Sequence, residues 1–277
     1  MRKLHLTFIL TILVYSNSVA QDIIDEYSLS SCFVKMWNSK KYLGHATGFF
    51  LTVNSQNYFI TNEHVVGKVF ANRERLRDKK PPLPPDSIPS NIDVRVYGRK
   101  LNSSTSINFN VKDIGTYIQL WSDTLKTQMM DVVAVPLPKS QEVFVTGTTI
   151  LSEVKSINPK LILQPTTDLY IVGFPLGTGY EMTYPLWKRG SIASDPSIRP
   201  TVQPNFLVDA TTRGGMSGSP VFYRGNNILT TGGVEMYTQS QTYLVGVYSA
   251  QDSSREIGQV WKISAIVNSI IRQQKRI

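Results

Sequence analysis

Gly214-Gly215-Met216-Ser217-Gly218-Ser219-Pro220, followed by Val221-Phe222, is the stretch on which the reading of this chain turns. Two glycines, a spacer, a serine and then Gly-Ser-Pro describe a tight turn that feeds a strand. Glycine admits positive φ and lets another molecule approach the main chain closely. A serine on such a turn can offer its hydroxyl to solvent while backbone N–H groups converge beside it. That combination supplies a nucleophile and a place for an oxyanion. Taken alone, the same residues also describe an ordinary Gly/Ser-rich hairpin loop. The rest of the chain must therefore provide a base and an orienting acid.

Elimination narrows the base quickly. The chain has three histidines, His5, His45 and His64, and His5 falls in an N-terminal leader. His45 lies in a polar stretch, Gly44-His45-Ala46-Thr47-Gly48, that reads as a turn. His64 directly follows the apolar run Tyr58-Phe59-Ile60-Thr61, so a buried strand holds it, and catalysis requires that positional precision. His64 is favoured. Both remaining histidines precede Ser217, which excludes the α/β-hydrolase order of Ser, acid, His. Gly-Met-Ser-Gly-Ser also lacks the last glycine of the nucleophile elbow. The acid should then lie between residues 64 and 217. Asp131 opens the apolar run Val132-Val133-Ala134-Val135, whereas Asp93, Asp113, Asp123 and Asp168 sit among polar or turn residues. An acid at the start of a buried strand can accept the imidazole Nδ1–H and fix its tautomer.

Composition bounds the setting of this chemistry. The 277 residues suffice for one large or two small β domains. Residues 1–20 read as a signal peptide: Arg2-Lys3, then apolar Leu4 to Tyr15, then Ser18-Val19-Ala20 at the cleavage position. The apolar run is shorter than the ~20 residues a membrane span needs, so an exported chain, secreted or periplasmic and free of the membrane after cleavage, is expected. Cys32 is the single cysteine, which leaves no intramolecular disulfide and suggests a buried thiol in the first strand. One Cys and two His outside the leader give no metal-ligand cluster, and no cofactor is implied. The net charge is +9, yet the densest basic stretch, Arg73 to Lys80, is broken by Glu74 and Asp78. It reads as a solvated loop, so nucleic acid is not an expected partner.

Along the chain, short apolar runs alternate with turn residues, which points to an all-β fold of barrels or sandwiches. Phe33 to Trp37 reads as a first strand, Asn38 to Gly44 as a turn, and Gly48 to Val53 with Tyr58 to Thr61 as a hairpin across Asn54 to Asn57. Residues 72–91 carry Pro81, Pro82, Pro84, Pro85 and Pro89 and read as a surface loop. Ile92 to Tyr97, Ile107 to Val111, Tyr117 to Trp121 and Asp131 to Val135 complete a first half. Residues 139–165 read as a crossing plus the first strand of the second half. Leu169 to Phe174, Trp187 to Ala193, Phe206 to Asp209, Val221 to Tyr223, Tyr243 to Ser249 and Gln259 to Ile263 come next. Only the end reads as helix, with Ile263, Ile266, Val267, Ile270 and Ile271 on one stripe and Ser264 as its cap.

Ala46-Thr47-Gly48-Phe49-Phe50-Leu51, Ile60-Thr61-Asn62-Glu63-His64-Val65-Val66, Asp131-Val132-Val133-Ala134-Val135 and the serine turn occur in the order of chymotrypsin-fold (trypsin-like) serine peptidases. The chain most resembles their disulfide-free bacterial branch, which includes glutamyl endopeptidases and periplasmic heat-shock proteases. The resemblance covers most of residues 30–275, with Val172 to Gly177, Asp209-Ala210, Leu244 to Val247 and the final helix in support. It implies two six-stranded antiparallel β-barrels with a C-terminal helix: residues 21–140 carry His64 and Asp131, and residues 141–277 carry Ser217. It implies a secreted endopeptidase acting on protein or peptide substrates through an acyl-enzyme. In it Ser217 is the nucleophile, His64 the general base and Asp131 the orienting carboxylate. The N–H groups of Gly215 and Ser217 would form the oxyanion hole, and Ser249 would border the acid and bond the substrate backbone. Thr211, Thr212, Tyr248, Ala250 and Gln251 would shape the specificity pocket. Three departures stand out. Glu63 replaces the small residue usual before the histidine, Tyr248 replaces the pocket histidine of glutamyl endopeptidases, and no aspartate lies at the pocket base. The competing reading is a catalytically silent peptide-binding or adhesion module on the same fold.

Overall fold

Asn54 and Ser55 both adopt positive φ, 48° and 65°, which is the backbone of a two-residue hairpin turn matched to strand twist. They join strand β2 (Lys41–Val53) to β3 (Gln56–Thr61), with Phe50 opposite Phe59 and Val53 opposite Gln56. The structure is a computed structural model and describes residues 24–98, 104–110, 118–122, 128–137, 149–176, 184–199, 201–252 and 257–275. Residues 1–20, which the sequence marks as an expected signal peptide, lie outside the described residues. β1 (Ser31–Asn38) pairs with β2, and this hairpin turns at Ser39 and Lys40. β2 therefore begins at Lys41, and residues 41–44, expected in a turn, belong to it. His45 is consequently a strand residue, because the long β1–β2 ladder extends past Gly44.

The first half forms an eight-stranded sheet. Its order is β5 (Ser104–Asn110), β4 (Asn91–Tyr97), β1, β2, β3, β7 (Met129–Pro136) and β6 (Ile118–Trp121), with β8 (Leu151–Ser152) added parallel to β2. The crossing segment thus contributes its short strand to the first sheet and continues into helix α3 (Glu153–Ser156). The second half is a closed six-stranded barrel, β10-β11-β14-β13-β12-β9. Its strands are β9 (Asp168–Gly173), β10 (Leu186–Ile192), β11 (Asn205–Asp209), β12 (Pro220–Thr230), β13 (Gly233–Asp252) and β14 (Ile257–Lys262). The all-β, two-unit architecture expected from the chain stands, with an eight-stranded sheet among the described residues of the first unit in place of the expected six-stranded barrel.

One apolar cluster spans both units. Phe49, Leu51, Ile60 and Val132 of the first sheet meet Val172, Phe222, Leu244 and Val247 of the barrel, and the C-terminal helix α4 (Ile263–Gln274) closes over them with Ile266 and Ile270. A fully buried aliphatic side chain contributes roughly 1.5–3 kcal/mol, so this seam holds the two halves in register. Helix α4 starts as the apolar stripe requires, but its cap position is Lys262 without a side-chain bond, and Ser264 lies inside the helix. Cys32 is buried in β1, and burial pushes its thiol far above the ordinary range, which makes it an inert core residue.

Two short helices come after β3. Glu63–Val66 (α1) carries His64, and Val69–Arg77 (α2) runs through the basic stretch expected as loop. α2 buries no residue, so it shows no apolar stripe by which a sequence pattern could detect it. Its start is fixed from a distance. Fully buried Glu63 accepts the Val69 and Phe70 N–H groups at 3.0 and 2.9 Å, satisfying two of the free donors of a helix N-terminus.

Candidate active site

Asp131 sits on β7 beside α1 and is 3 % exposed. Its carboxylate is fully employed. Oδ1 accepts the His64 backbone N–H at 3.1 Å, and Oδ2 faces His64 Nδ1 at 2.8 Å while accepting the Ser249 hydroxyl at 2.7 Å. A buried carboxylate accepting bonds from Nδ1–H leaves the proton off Nε2, the state in which the ring can take a proton from a nucleophile. The surrounding turn is tied to the same strand. Asn62 Nδ2 donates to the Asp131 carbonyl at 2.6 Å, and Lys68 Nζ donates to the His64 carbonyl at 2.7 Å.

Burial raises the Glu63 carboxyl above its ordinary 4.5, while the Phe70 and Val69 amides pull it part of the way back. The folded chain therefore holds this proton more tightly than the unfolded chain. The associated stability is fully present below pH 4.5 and is lost as pH rises through the raised folded value. Glu63→Gln should flatten this part of the profile. Urea midpoints at several pH values from about 4 to about 7 check it, and a variant retaining the wild-type slope would contradict the assignment.

The serine turn is shaped by close approach. Gly215 has φ +100°, and a Cβ there would stand 2.2 Å from the Phe174 carbonyl oxygen and 2.5 Å from His45 Nε2. Gly218 has φ +85°, and its Cβ would stand 2.0 Å from the Thr47 carbonyl oxygen. Gly214, by contrast, faces open space. The turn Arg213 to Met216 closes with Met216 N–H on the Arg213 carbonyl at 3.3 Å. Positive φ at its third residue makes it type II. The Gly214 carbonyl accepts Leu176 N–H at 2.7 Å. Because that carbonyl and the Gly215 N–H belong to one trans peptide, they point in opposite directions, and the Gly215 N–H is directed away from Leu176. Neither the Gly215 nor the Ser217 N–H has a backbone partner among the described residues, which is the state an oxyanion hole requires. Leu176 supports this orientation from a left-handed conformation, φ 61°.

Thr47 anchors the turn to β2. Its N–H donates to the Ser217 carbonyl at 2.8 Å, and its hydroxyl donates to the Gly215 carbonyl at 2.8 Å while accepting Phe174 N–H at 3.1 Å. Thr61 Oγ1 in turn donates to the Thr47 carbonyl at 2.8 Å. In the sequence, Thr47 stands out only as part of a motif. Its role depends on bonds across more than a hundred residues, which no local pattern signals. Met216, fully buried in the barrel core, fixes the turn from below.

His64 and Asp131 are thus brought into contact, and Ser249 joins them. Ser217 is half-buried on its turn, and its hydroxyl makes no hydrogen bond to His64 among the described residues. Such bonds in substrate-free sites often tighten only when substrate arrives. His45 lies elsewhere: its ring stacks on Phe33 with centroids 5.8 Å apart, Nδ1 is 3.3 Å from the Tyr42 hydroxyl, and Nε2 is buried without a partner beside Gly215. Burial lowers its pKa, and the nearby Gly214 carbonyl, outside hydrogen-bonding geometry, offsets this only in part. Thr212 Oγ1 bonds the Tyr248 hydroxyl, Thr211 is exposed, and Ala250 and Gln251 continue β13 beyond Ser249. Among the described residues there is no cluster of metal-ligating side chains, and no helix is long and apolar enough to cross a membrane.

A family model described as a trypsin-like peptidase domain matches residues 46–229, a span that contains His64, Asp131 and Ser217. A glutamyl endopeptidase solved in complex with MPD is similar over 92 % of this chain and 95 % of its own, at 15 % identity and a TM-score of 0.50. The protease Anisep from Arthrobacter nicotinovorans is similar over 88 % and 95 %, at 11 % identity and a TM-score of 0.52. The thermostable serine protease AL20 from an extremophilic microorganism is similar over 88 % and 96 %, at 14 % identity and a TM-score of 0.50. These likenesses are of fold. No curated protein matches the sequence.

Proposed function

We propose that this chain, which belongs to the trypsin-like peptidase domain family, hydrolyses peptide bonds through His64, Asp131 and Ser217. The observation that carries this reading is the Asp131 carboxylate, buried and bonded at once to the His64 N–H, His64 Nδ1 and the Ser249 hydroxyl. Ser217 Oγ attacks the scissile carbonyl and its proton passes to His64 Nε2. The C=O π pair moves onto oxygen, and the Gly215 and Ser217 N–H groups take up that charge. Collapse breaks the C–N bond, and the imidazolium gives its proton to the leaving amine. Water then attacks the acyl-enzyme by the same route and releases the acid. The leader at residues 1–20 makes the processed chain an exported enzyme, and protein or peptide chains are its substrates.

With residues 21–140 as one unit and 141–277 as the other, apart from β8, which joins the first sheet, His64 and Asp131 fall on one unit and Ser217 on the other. Catalysis then depends on bonds that cross between them. Thr47→Val keeps the β-branched shape of β2 while removing the hydroxyl that holds Gly215 and Phe174. The expected outcome is a kcat lower by about 10- to 100-fold with KM changed by no more than about 3-fold, since the loss falls on transition-state geometry. Steady-state kinetics check it, and an unchanged kcat would remove Thr47 from the set of positioning residues.

Digestion of a broad peptide library by the processed chain, with Ser217→Ala alongside, tests the function itself. Defined cleavages that vanish in the variant support it. Absence of cleavage by the folded wild-type chain overturns it.

A further inference from the structure

Tyr248 is anchored next to the nucleophile. Its carbonyl accepts the Gly218 N–H at 2.9 Å, its own N–H donates to the Ser219 carbonyl at 2.9 Å, and the next residue, Ser249, bonds Asp131. The side chain is 1 % exposed. Its hydroxyl bonds Thr212 Oγ1, and its ring lies against Gly258 of β14, where a Cβ would stand 2.3 Å from Cε2 and 2.6 Å from the hydroxyl. The phenol therefore bridges from the segment entering the serine turn to β14, and glycine at 258 is what leaves room for it.

An acyl group on Ser217, with its oxygen at the Gly215 and Ser217 N–H groups, has few directions for its side chain. Gly215 is backed by the Phe174 carbonyl and the His45 ring. The His64, Asp131 and Ser249 assembly closes another side. The remaining direction runs between Thr212 and β13, where the phenol already lies. A packed interior tolerates little added volume. The Thr212 and Tyr248 hydroxyls bond each other, which uses one of their two protons and leaves a single O–H donor to meet a charged side chain. We propose that this enzyme cleaves after small residues, with alanine, serine or glycine supplying the attacked carbonyl, and that Tyr248 sets the limit. The inference rests on Ser217 being the nucleophile.

The test is a peptide series varied only at that residue, together with alanyl and phenylalanyl phosphonates that label serine nucleophiles. Alanine and serine substrates should exceed leucine, phenylalanine, lysine and glutamate substrates by about 100-fold in kcat/KM, and the alanyl phosphonate should label faster. Tyr248→Val should raise the leucine-to-alanine ratio by at least about 10-fold. Wild-type enzyme that cleaves after phenylalanine, lysine or glutamate as well as after alanine overturns the proposal, whether or not the variant folds. So does a folded variant whose ratio is unchanged. If Ser217 is labelled but the phenylalanyl phosphonate reacts faster, only the size limit fails. If neither phosphonate nor a small fluorophosphonate labels Ser217, the reading of the nucleophile fails instead.

Discussion

His64→Ala should lower kcat by about 10⁶, to the level left by the oxyanion hole and substrate binding alone. Without Nε2 the Ser217 proton has no acceptor, and the leaving amine has no donor. The magnitude is that of a base lost from a unit whose members act together, so combining it with Ser217→Ala should cost little more. The fold should survive, since the His64 side chain is 27 % exposed and belongs to no apolar cluster. His45 is the internal control for identity. It lies beside Gly215 and makes no contact with Asp131, so it cannot substitute as the base. Circular dichroism of the variant and kcat on a cleaved peptide provide the check. Residual turnover within about 10-fold of wild type would assign the base elsewhere.

Asp131→Asn should cost about 10⁴ in kcat with a small change in KM. The reason lies in the two carboxylate oxygens. If the asparagine carbonyl takes the Oδ1 place and accepts the His64 backbone N–H, its NH₂ group faces Nδ1. That group forces Nδ1 to accept, puts the proton on Nε2 and blocks it as a base. If the amide turns over, NH₂ faces the backbone N–H, donor against donor, with the loss of a buried bond. Neither orientation reproduces the three bonds now made by Asp131. Asp131→Ala would add a cavity and a stranded Ser249 hydroxyl, so asparagine is the cleaner substitution.

The proposed reacting residues are legible in the sequence because their identities are tied to local pattern. Ser217 is framed by Gly215 and Gly218, which the backbone requires at positive φ. Asp131 heads the apolar run Val132 to Val135 within β7, and His64 comes shortly after the buried strand β3. The two-unit β architecture is legible from the same alternation, and the final helix from its stripe. What stays hidden is held by contacts far apart in the chain or by none. α2 has no fully buried residue, anchors by the partly buried Phe70 against Trp261 and leans on Glu63, so its nine residues look like a solvated loop. His45 reads as a turn residue because Asn38 to Lys41 are polar and Gly44 precedes it, yet the β1–β2 ladder carries the strand through residues 41 to 45. Leu176 orients the oxyanion peptide through a backbone N–H that any residue but proline would possess, and Thr47 through a hydroxyl whose partners lie more than a hundred residues away. Tyr248 is recognisable as a departure from a pocket histidine. That its phenol spans to Gly258 requires coordinates.

A nucleophilic Ser217 should react covalently with a fluorophosphonate. The neighbouring Ser219 is a built-in comparison, being fully buried with its hydroxyl against Gly173. Intact-mass measurement of the processed chain should show one adduct, peptide mapping should place it on Ser217, and both Ser217→Ala and His64→Ala should abolish it on the same time scale. A chain that is folded but never labelled, or an adduct that persists in Ser217→Ala, would contradict the claim.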